Sequence, residues 1–202
     1  MKSDVLYLCE KFRTVSEEKI TNKQRKLKIA KLLEDISTGV PAKITTALDF
    51  LQVHGDDSII APLVQSLDKI KDEKSTAEII EFLSSLKSSS AVEKVMEIVN
   101  DPGYAAQQVK LLSTIWNSPL DYSSYLAEFV SLAVKGDFMV TLECLTIIEN
   151  LEGPFIESSI LESQLLLKDY HEGLYQKDQQ KDHLISEIAL LLKDMDRQSD
   201  LD

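Results

Sequence analysis

The chain has 202 residues, of which 44% are hydrophobic and 28% are charged, and its formal net charge is −12. This length allows one domain with a sizeable buried core, and the acidic balance disfavours wholesale nucleic-acid binding, which needs cations to displace phosphate counterions. With only six glycines and five prolines, the chain also has fewer turn-forming residues than an all-β protein needs. A helical protein is therefore predicted.

The two cysteines, Cys9 and Cys144, each lie in an apolar helical pattern. Buried free thiols are favoured over a disulfide, which fits a reducing compartment. The apolar run Val5–Cys9 is too short for a signal peptide, and no apolar run approaches the roughly eighteen residues that span a bilayer. Cytoplasmic localisation is predicted.

Basic N-terminal helices are predicted in residues 1–43. Ser3 or Asp4 can cap the first helix. In the second, Thr21 and Gln24 resemble a capping box, and Gly39 followed by Pro41 ends the helix. The apolar face of this second helix is predicted to bury Leu27, Ile29, Leu32, Leu33 and Ile36.

Six cations and no acids occur within Lys19–Lys31. One interpretation is a solvated helix face, because residues 1–46 carry a net +4 and residues 47–202 a net −16. The other is a docking site for an acidic partner, RNA or an anionic membrane surface. The candidate anion-binding residues are Lys23, Arg25, Lys26 and Lys28.

A two-helix unit is repeated through residues 44–171. Its first helices are aligned at Ala47, Ile79, Leu111 and Cys144, which are 32, 32 and 33 residues apart. The second helices follow 12 to 14 residues later, and turn signals at Gly55, Pro102-Gly103, Pro119, Gly136 and Gly153-Pro154 separate the helices. Because one helix pair cannot cover its own apolar face, stacked pairs sharing a core are predicted.

Six aligned columns are apolar in all four copies. Three fall in the first helices: Ala47/Ile79/Leu111/Cys144, Leu48/Ile80/Leu112/Leu145 and Leu51/Leu83/Ile115/Ile148. Three fall in the second helices: Ile59/Ala91/Tyr125/Ile156, Leu63/Val95/Phe129/Ile160 and Val64/Met96/Val130/Leu161. These columns predict the shared core.

The segment GDDSIIAPLVQSL, from Gly55 to Leu67, resembles the turn and second helix of a HEAT/armadillo-type α-solenoid repeat. The resemblance covers about residues 45–165, although Lys87, Pro119 and Glu152 replace Gly55 in the other copies. It implies an all-α, right-handed α-α superhelix with repeats of about 32 residues in a single domain, and a concave surface lined by the second helices. Residues 172–202 are predicted to form a polar loop over Gln176–Asp182, a capping helix over His183–Met195 and a frayed tail.

No catalytic, cofactor-binding or metal-binding motif is found. The only histidines are His54, His171 and His183, and no zinc-ligand spacing occurs. Helical spacing favours core packing for Trp116, with a partner-binding aromatic patch as the alternative. No cofactor is expected.

The second helices carry acids between their apolar columns, namely Glu93, Glu97, Glu128, Glu157 and Glu162. On a concave surface these acids would prefer a basic partner segment, or they only solvate the face. The leading hypothesis is a non-enzymatic protein-protein interaction module that binds a partner segment in the solenoid groove. The alternatives are a nucleic-acid or anionic-surface binder acting through Lys19–Lys31, and an enzyme with a site assembled from scattered residues.

Overall fold

The computed structural model describes residues 22–175 and 179–199, which form helices and turns and contain no strand. The all-α prediction is confirmed for these residues. The chain divides into two compact units, Met1–Ile79 and Ile80–Asp202, which are described in turn. The right-handed superhelix and the single domain stay predictions, and the N-terminal caps at Ser3, Asp4 and Thr21 lie outside the described residues.

The described part of the first unit, residues 22–79, contains three α-helices and the start of a fourth. They are α1 (22–37), α2 (Pro41–His54), α3 (Ile60–Ser66, entered through a 3-10 turn) and α4 (Glu73–Ser84), which continues into the second unit. α3 ends at Ser66, where Ser66 O accepts from Lys69 N and Ile70 N in a closing turn. The predicted burial of Leu27 on α1 is wrong, since 63% of this residue is exposed.

Six further α-helices lie in the described residues of the second unit, 80–175 and 179–199. They are α5 (Ser90–Val99), α6 (Gln108–Ile115), α7 (Leu126–Lys135), α8 (Phe138–Glu149), α9 (Glu157–His171) and α10 (Gln179–Ser199). Within this unit α6 packs on α8 and α8 on α10, while α7 packs on both α8 and α9. Alternate helices therefore form two rows, α6-α8-α10 and α7-α9, whose shared interface holds the core of the unit.

Aspartates begin many of these helices. The carboxylate of Asp137 accepts a hydrogen bond from Val140 N at 3.0 Å and caps α8. The same arrangement, a carboxylate accepting from the backbone N–H two or three residues on, occurs at Asp56, Asp72, Asp101 and Asp121. These caps satisfy backbone donors that the first helical turn leaves unpaired.

The predicted apolar columns are largely buried. In the first helices, all members of the Ala47 and Leu51 columns are at most 3% exposed. The column that starts at Leu63 is equally buried in all four copies. The fourth copy departs at Ile156 and Leu161, which are exposed because α9 begins only at Glu157 and buries the narrower stripe Ile160, Ser163, Leu167 and Tyr170.

Helix α10 carries a buried lysine at a position that was predicted to lie in the polar loop Gln176–Asp182. Lys181 lies in the first turn of α10 and is only 3% exposed. Its Nζ donates to Gly136 O at 2.7 Å, to Val134 O at 3.0 Å and to Ala133 O at 3.4 Å. A lysine ammonium has three protons to donate, and the carbonyl end of a helix attracts cations. Lys181 therefore closes the carboxyl end of α7 from a neighbouring helix.

The chain turns from α7 into α8 next to this lysine, at Gly136. The Gly136 N–H donates to Leu132 O at 2.7 Å, and a Cβ at this position would lie 2.5 Å from Val140 Cγ1. Gly55 makes the same turn between α2 and α3, with its N–H 2.7 Å from Leu51 O. A Cβ at Gly55 would lie 2.5 Å from Leu51 O and 2.6 Å from Ile59 Cδ1. Both turns therefore need glycine, because neighbouring atoms leave no room for a side chain.

Within the described residues, none of the helices is both long enough and apolar enough to cross a membrane.

We expect Lys181→Met to lower the free energy of unfolding by about 1–3 kcal/mol, because three carbonyls lose their buried donor. Methionine keeps the apolar stem of the side chain, so the change measures the contribution of the ammonium group alone. Urea denaturation followed by far-UV circular dichroism measures the effect. Lys193→Met, an exposed position on the same helix, is the matched control, and equal midpoints for the two variants would contradict this role of Lys181.

Candidate functional site

The charges of three glutamates of the second unit act on one tyrosine, Tyr125. Glu93 and Glu97 are one turn apart on α5 and so share a helix face, and Glu128 lies in the first turn of α7. Tyr125 ends the 3-10 turn that leads into α7 and is half-buried, whereas all three glutamates are exposed. We call Glu93, Glu97 and Glu128 the acidic face.

The electrostatics of Tyr125 show that the acidic face is one cluster. Burial of the phenol raises the pKa of Tyr125, and the charges of Glu93, Glu128 and Glu97 raise it further. A carboxylate perturbs a neighbouring ionisation only at short range, because solvent screens exposed charges. The α5 and α7 carboxylates therefore lie within electrostatic range of the same phenol.

One cation already lies on the acidic face. Lys94 Nζ is 2.5 Å from Glu97 Oε2, and both side chains are exposed. The hydrogen bond to Glu97, together with the charge of its carboxylate, raises the pKa of Lys94. Exposed pairs of this kind contribute little to stability, so an external cation can replace Lys94 at small cost.

Glu157 and Glu162, the other two predicted partner-binding residues, lie on α9. Both are exposed, and α9 packs directly on α7. Neither contributes to the shifted pKa of Tyr125. The structure thus brings together three of the five predicted glutamates and leaves two on the next helix of the same row.

The four predicted anion-binding residues on α1 do not act alike. Arg25 Nε donates to His54 O at the end of α2 at 2.8 Å, and Arg25 Nη2 lies 3.5 Å from Asp56 Oδ2. Lys28 Nζ lies 3.8 Å from the centre of the Phe50 ring. These two cations hold α1 against α2. Lys23 and Lys26 remain exposed beside Leu27, at the start of α1.

The predicted core position of Trp116 is wrong, since 42% of this residue is exposed. It directly follows the end of α6. Cys144, in contrast, is fully buried as a free thiol, as predicted, and burial raises its pKa. A buried thiol with a raised pKa is a poor nucleophile.

A recess of about 340 Å³ in the second unit lies between the loops at 118–123 and 150–153. Tyr122 forms its buried wall, and burial raises the pKa of this phenol to about 12. The Asp121 carboxylate also lines the recess and accepts a hydrogen bond from Ser123 N. Glu152 is the second carboxylate of its lining.

Among the described residues, no three His, Cys, Asp or Glu side chains are grouped so that they would hold a metal ion. Comparison of the whole chain with protein-family models, curated proteins and solved structures found no match.

We expect the combined change Glu93→Gln, Glu97→Gln and Glu128→Gln to lower the pKa of Tyr125, because removing three negative charges favours the phenolate. The pKa should remain above the usual 10.0, since burial still opposes ionisation. A pH titration of the tyrosine 13Cζ signals by NMR measures the shift. Glu162→Gln is the control that should leave it unchanged, and an unaltered Tyr125 in the triple variant would show that the acidic face is not a cluster.

Proposed function

We propose that the protein is a non-enzymatic interaction module that binds a basic segment of a partner protein on the acidic face. The observation that carries the proposal is that the charges of Glu93, Glu97 and Glu128 all act on the Tyr125 phenol. A cluster of like charges is relieved when an external cation enters it. The phenol beside the carboxylates adds a surface that packs well against alkyl stems and cations.

The charge of the surrounding unit supports this choice of partner. Residues 80–202 carry 21 acidic and 9 basic residues, so the field around the acidic face attracts polycations and repels nucleic acid. Glu157 and Glu162 on α9 extend the negative surface along the row that contains α7. We further propose that the rows belong to a HEAT-like right-handed superhelix, in which the second helices line the groove that receives the partner, and that the protein acts in the cytoplasm.

We expect a fluorescein-labelled dodecapeptide of alternating Arg and Ser to bind the protein, as measured by fluorescence anisotropy. The Glu93→Gln, Glu97→Gln, Glu128→Gln variant should bind about tenfold more weakly, from the loss of three partly screened ion pairs. The matched control replaces Glu81, Glu149 and Glu152, which are equally exposed acids of the same unit, by Gln and should retain affinity. Equal weakening in both variants would mean that only net charge attracts the peptide.

The natural partner is then sought by affinity capture and mass spectrometry with both triple variants as bait. A specific partner should be retained by the wild type and by the control and lost from the acidic-face variant. Recovery of the same proteins with all three baits would contradict the proposal.

A nucleic-acid or anionic-surface function through α1 is the second candidate. The exposure of Lys23 and Lys26 next to Leu27 favours it, whereas the engagement of Arg25 and Lys28 with α2 leaves fewer cations for phosphate. We expect no measurable binding of a labelled single-stranded RNA at about 150 mM salt.

The decisive variant is Lys23→Glu, Lys26→Glu, which should leave partner capture intact. Salt-dependent RNA binding by the wild type that disappears in this variant would favour the second candidate over the first. Vesicles containing anionic lipid, tested with the same two proteins, separate a membrane surface from RNA.

A further inference from the structure

The sole tryptophan of the chain lies on the surface of the second unit. Trp116 follows α6, and 42% of it is exposed. A tryptophan that serves only the core would bury its large apolar area, so an exposed indole is typical of recognition surfaces. The indole is also held in place, because its Nε1 donates to Glu143 Oε2 on α8 at 3.3 Å.

The carboxyl group of Glu143 is unlike the exposed acids elsewhere on the unit. Burial raises its pKa, and the hydrogen bond from Trp116 lowers it only in part. No side chain of residues 22–175 or 179–196 forms an ion pair with Glu143 or a hydrogen bond to its Oε1. A half-buried carboxylate that has one aromatic partner and no counter-ion favours the approach of a cation.

Two neighbouring features complete this surface. Met139 lies one turn before Glu143 on α8 and is 45% exposed. The last turn of α6, which ends beside Trp116, carries no basic residue, so the partial negative charge of this helix end is not offset from within the helix. The site thus combines the indole face of Trp116, the flexible thioether of Met139, and negative potential from the Glu143 carboxylate and from the carboxyl end of α6.

We propose that Trp116, Met139 and Glu143, which lie on the row α6-α8-α10 and not on the helices of the acidic face, form a seat for an arginine side chain of the basic partner. This inference rests on the proposed function for the identity of the partner. A guanidinium group stacks flat on an indole while its edge donates to a carboxylate, in this case Glu143 Oε1. A lysine ammonium, which is compact and strongly hydrated, cannot do both at once, so arginine is preferred.

The seat is tested alone with a short probe, the peptide acetyl-Gly-Ser-Arg-Ser-Gly-amide. Because the chain has one tryptophan, a 15N-labelled sample gives one indole N–H signal. This N–H is the group that donates the hydrogen bond to Glu143. The arginine peptide should shift that signal saturably. The lysine peptide should shift it less, and the uncharged citrulline peptide should leave it in place. Equal shifts with arginine and lysine, or none with arginine, would overturn the arginine seat.

Variants then connect the seat to partner binding. Glu143→Gln keeps an acceptor for the indole and removes the charge, and Trp116→Leu removes the stacking surface. Each should weaken binding of the alternating Arg-Ser dodecapeptide about fivefold, the size of an exposed cation–π or charge contact. Glu149→Gln, an exposed acid on the same helix, is the control, and unchanged circular dichroism shows that each variant folds.

The outcomes separate this inference from the proposed function. If the dodecapeptide depends on the acidic face but not on Glu143 or Trp116, the arginine seat is wrong and the interaction module stands. If the pentapeptide shifts the indole signal but the acidic-face variant binds the dodecapeptide normally, the seat stands and the acidic face is not the docking surface.

Discussion

Cations from one helix close the carboxyl end of another in both units, and the arrangement of the helices depends on these contacts. In the second unit the Lys181 ammonium donates to three carbonyls at the end of α7. In the first unit the Arg25 guanidinium donates to the last carbonyl of α2. Each contact lies next to a Gly-Asp turn that starts a new helix. Buried carbonyls without a donor are costly, so the end of α7 can be covered by α10 only because α10 supplies Lys181 as the donor. The Arg25 contact at the end of α2 is exposed.

The apolar columns were predictable because they depend on chain periodicity alone. Leu63, Val95 and Phe129 recur at a helical spacing and are buried as that spacing requires. The predicted burial failed in the fourth copy at Ile156, because α9 begins only at Glu157. Periodicity does not specify the residue at which a helix begins. The prediction of a loop at Lys181 was wrong because it treated the lysine as a polar residue that must be exposed to solvent. Its spacing to Ile185 and Ile188, four and seven residues on, was the available signal that it shares their buried face.

The candidate site was predictable only in part. Exposure of Glu93, Glu97 and Glu128 followed from their positions between apolar columns. Their common action on Tyr125 did not, because it depends on the spacing of α5 and α7 and on the 3-10 turn that places Tyr125 ahead of α7. The Trp116–Glu143 contact was missed for a related reason, since it joins residues 27 positions apart through the packing of α6 on α8. Charge on one helix can be read from the sequence, but juxtaposition of two helices requires the fold.

In the second unit, α10 packs on α8 and so follows it in the row α6-α8-α10. Each helix in a row of stacked helices presents an apolar side to the next helix. An uncovered apolar side can therefore bind a helix of a second molecule. The exposed residues of α10 include His183, Ser186, Lys193 and Asp194, together with the apolar Leu190, and polar side chains pack poorly against a further helix. The solvent-facing side of α10 is therefore less suited to helix stacking than the apolar sides that the helices of the row share.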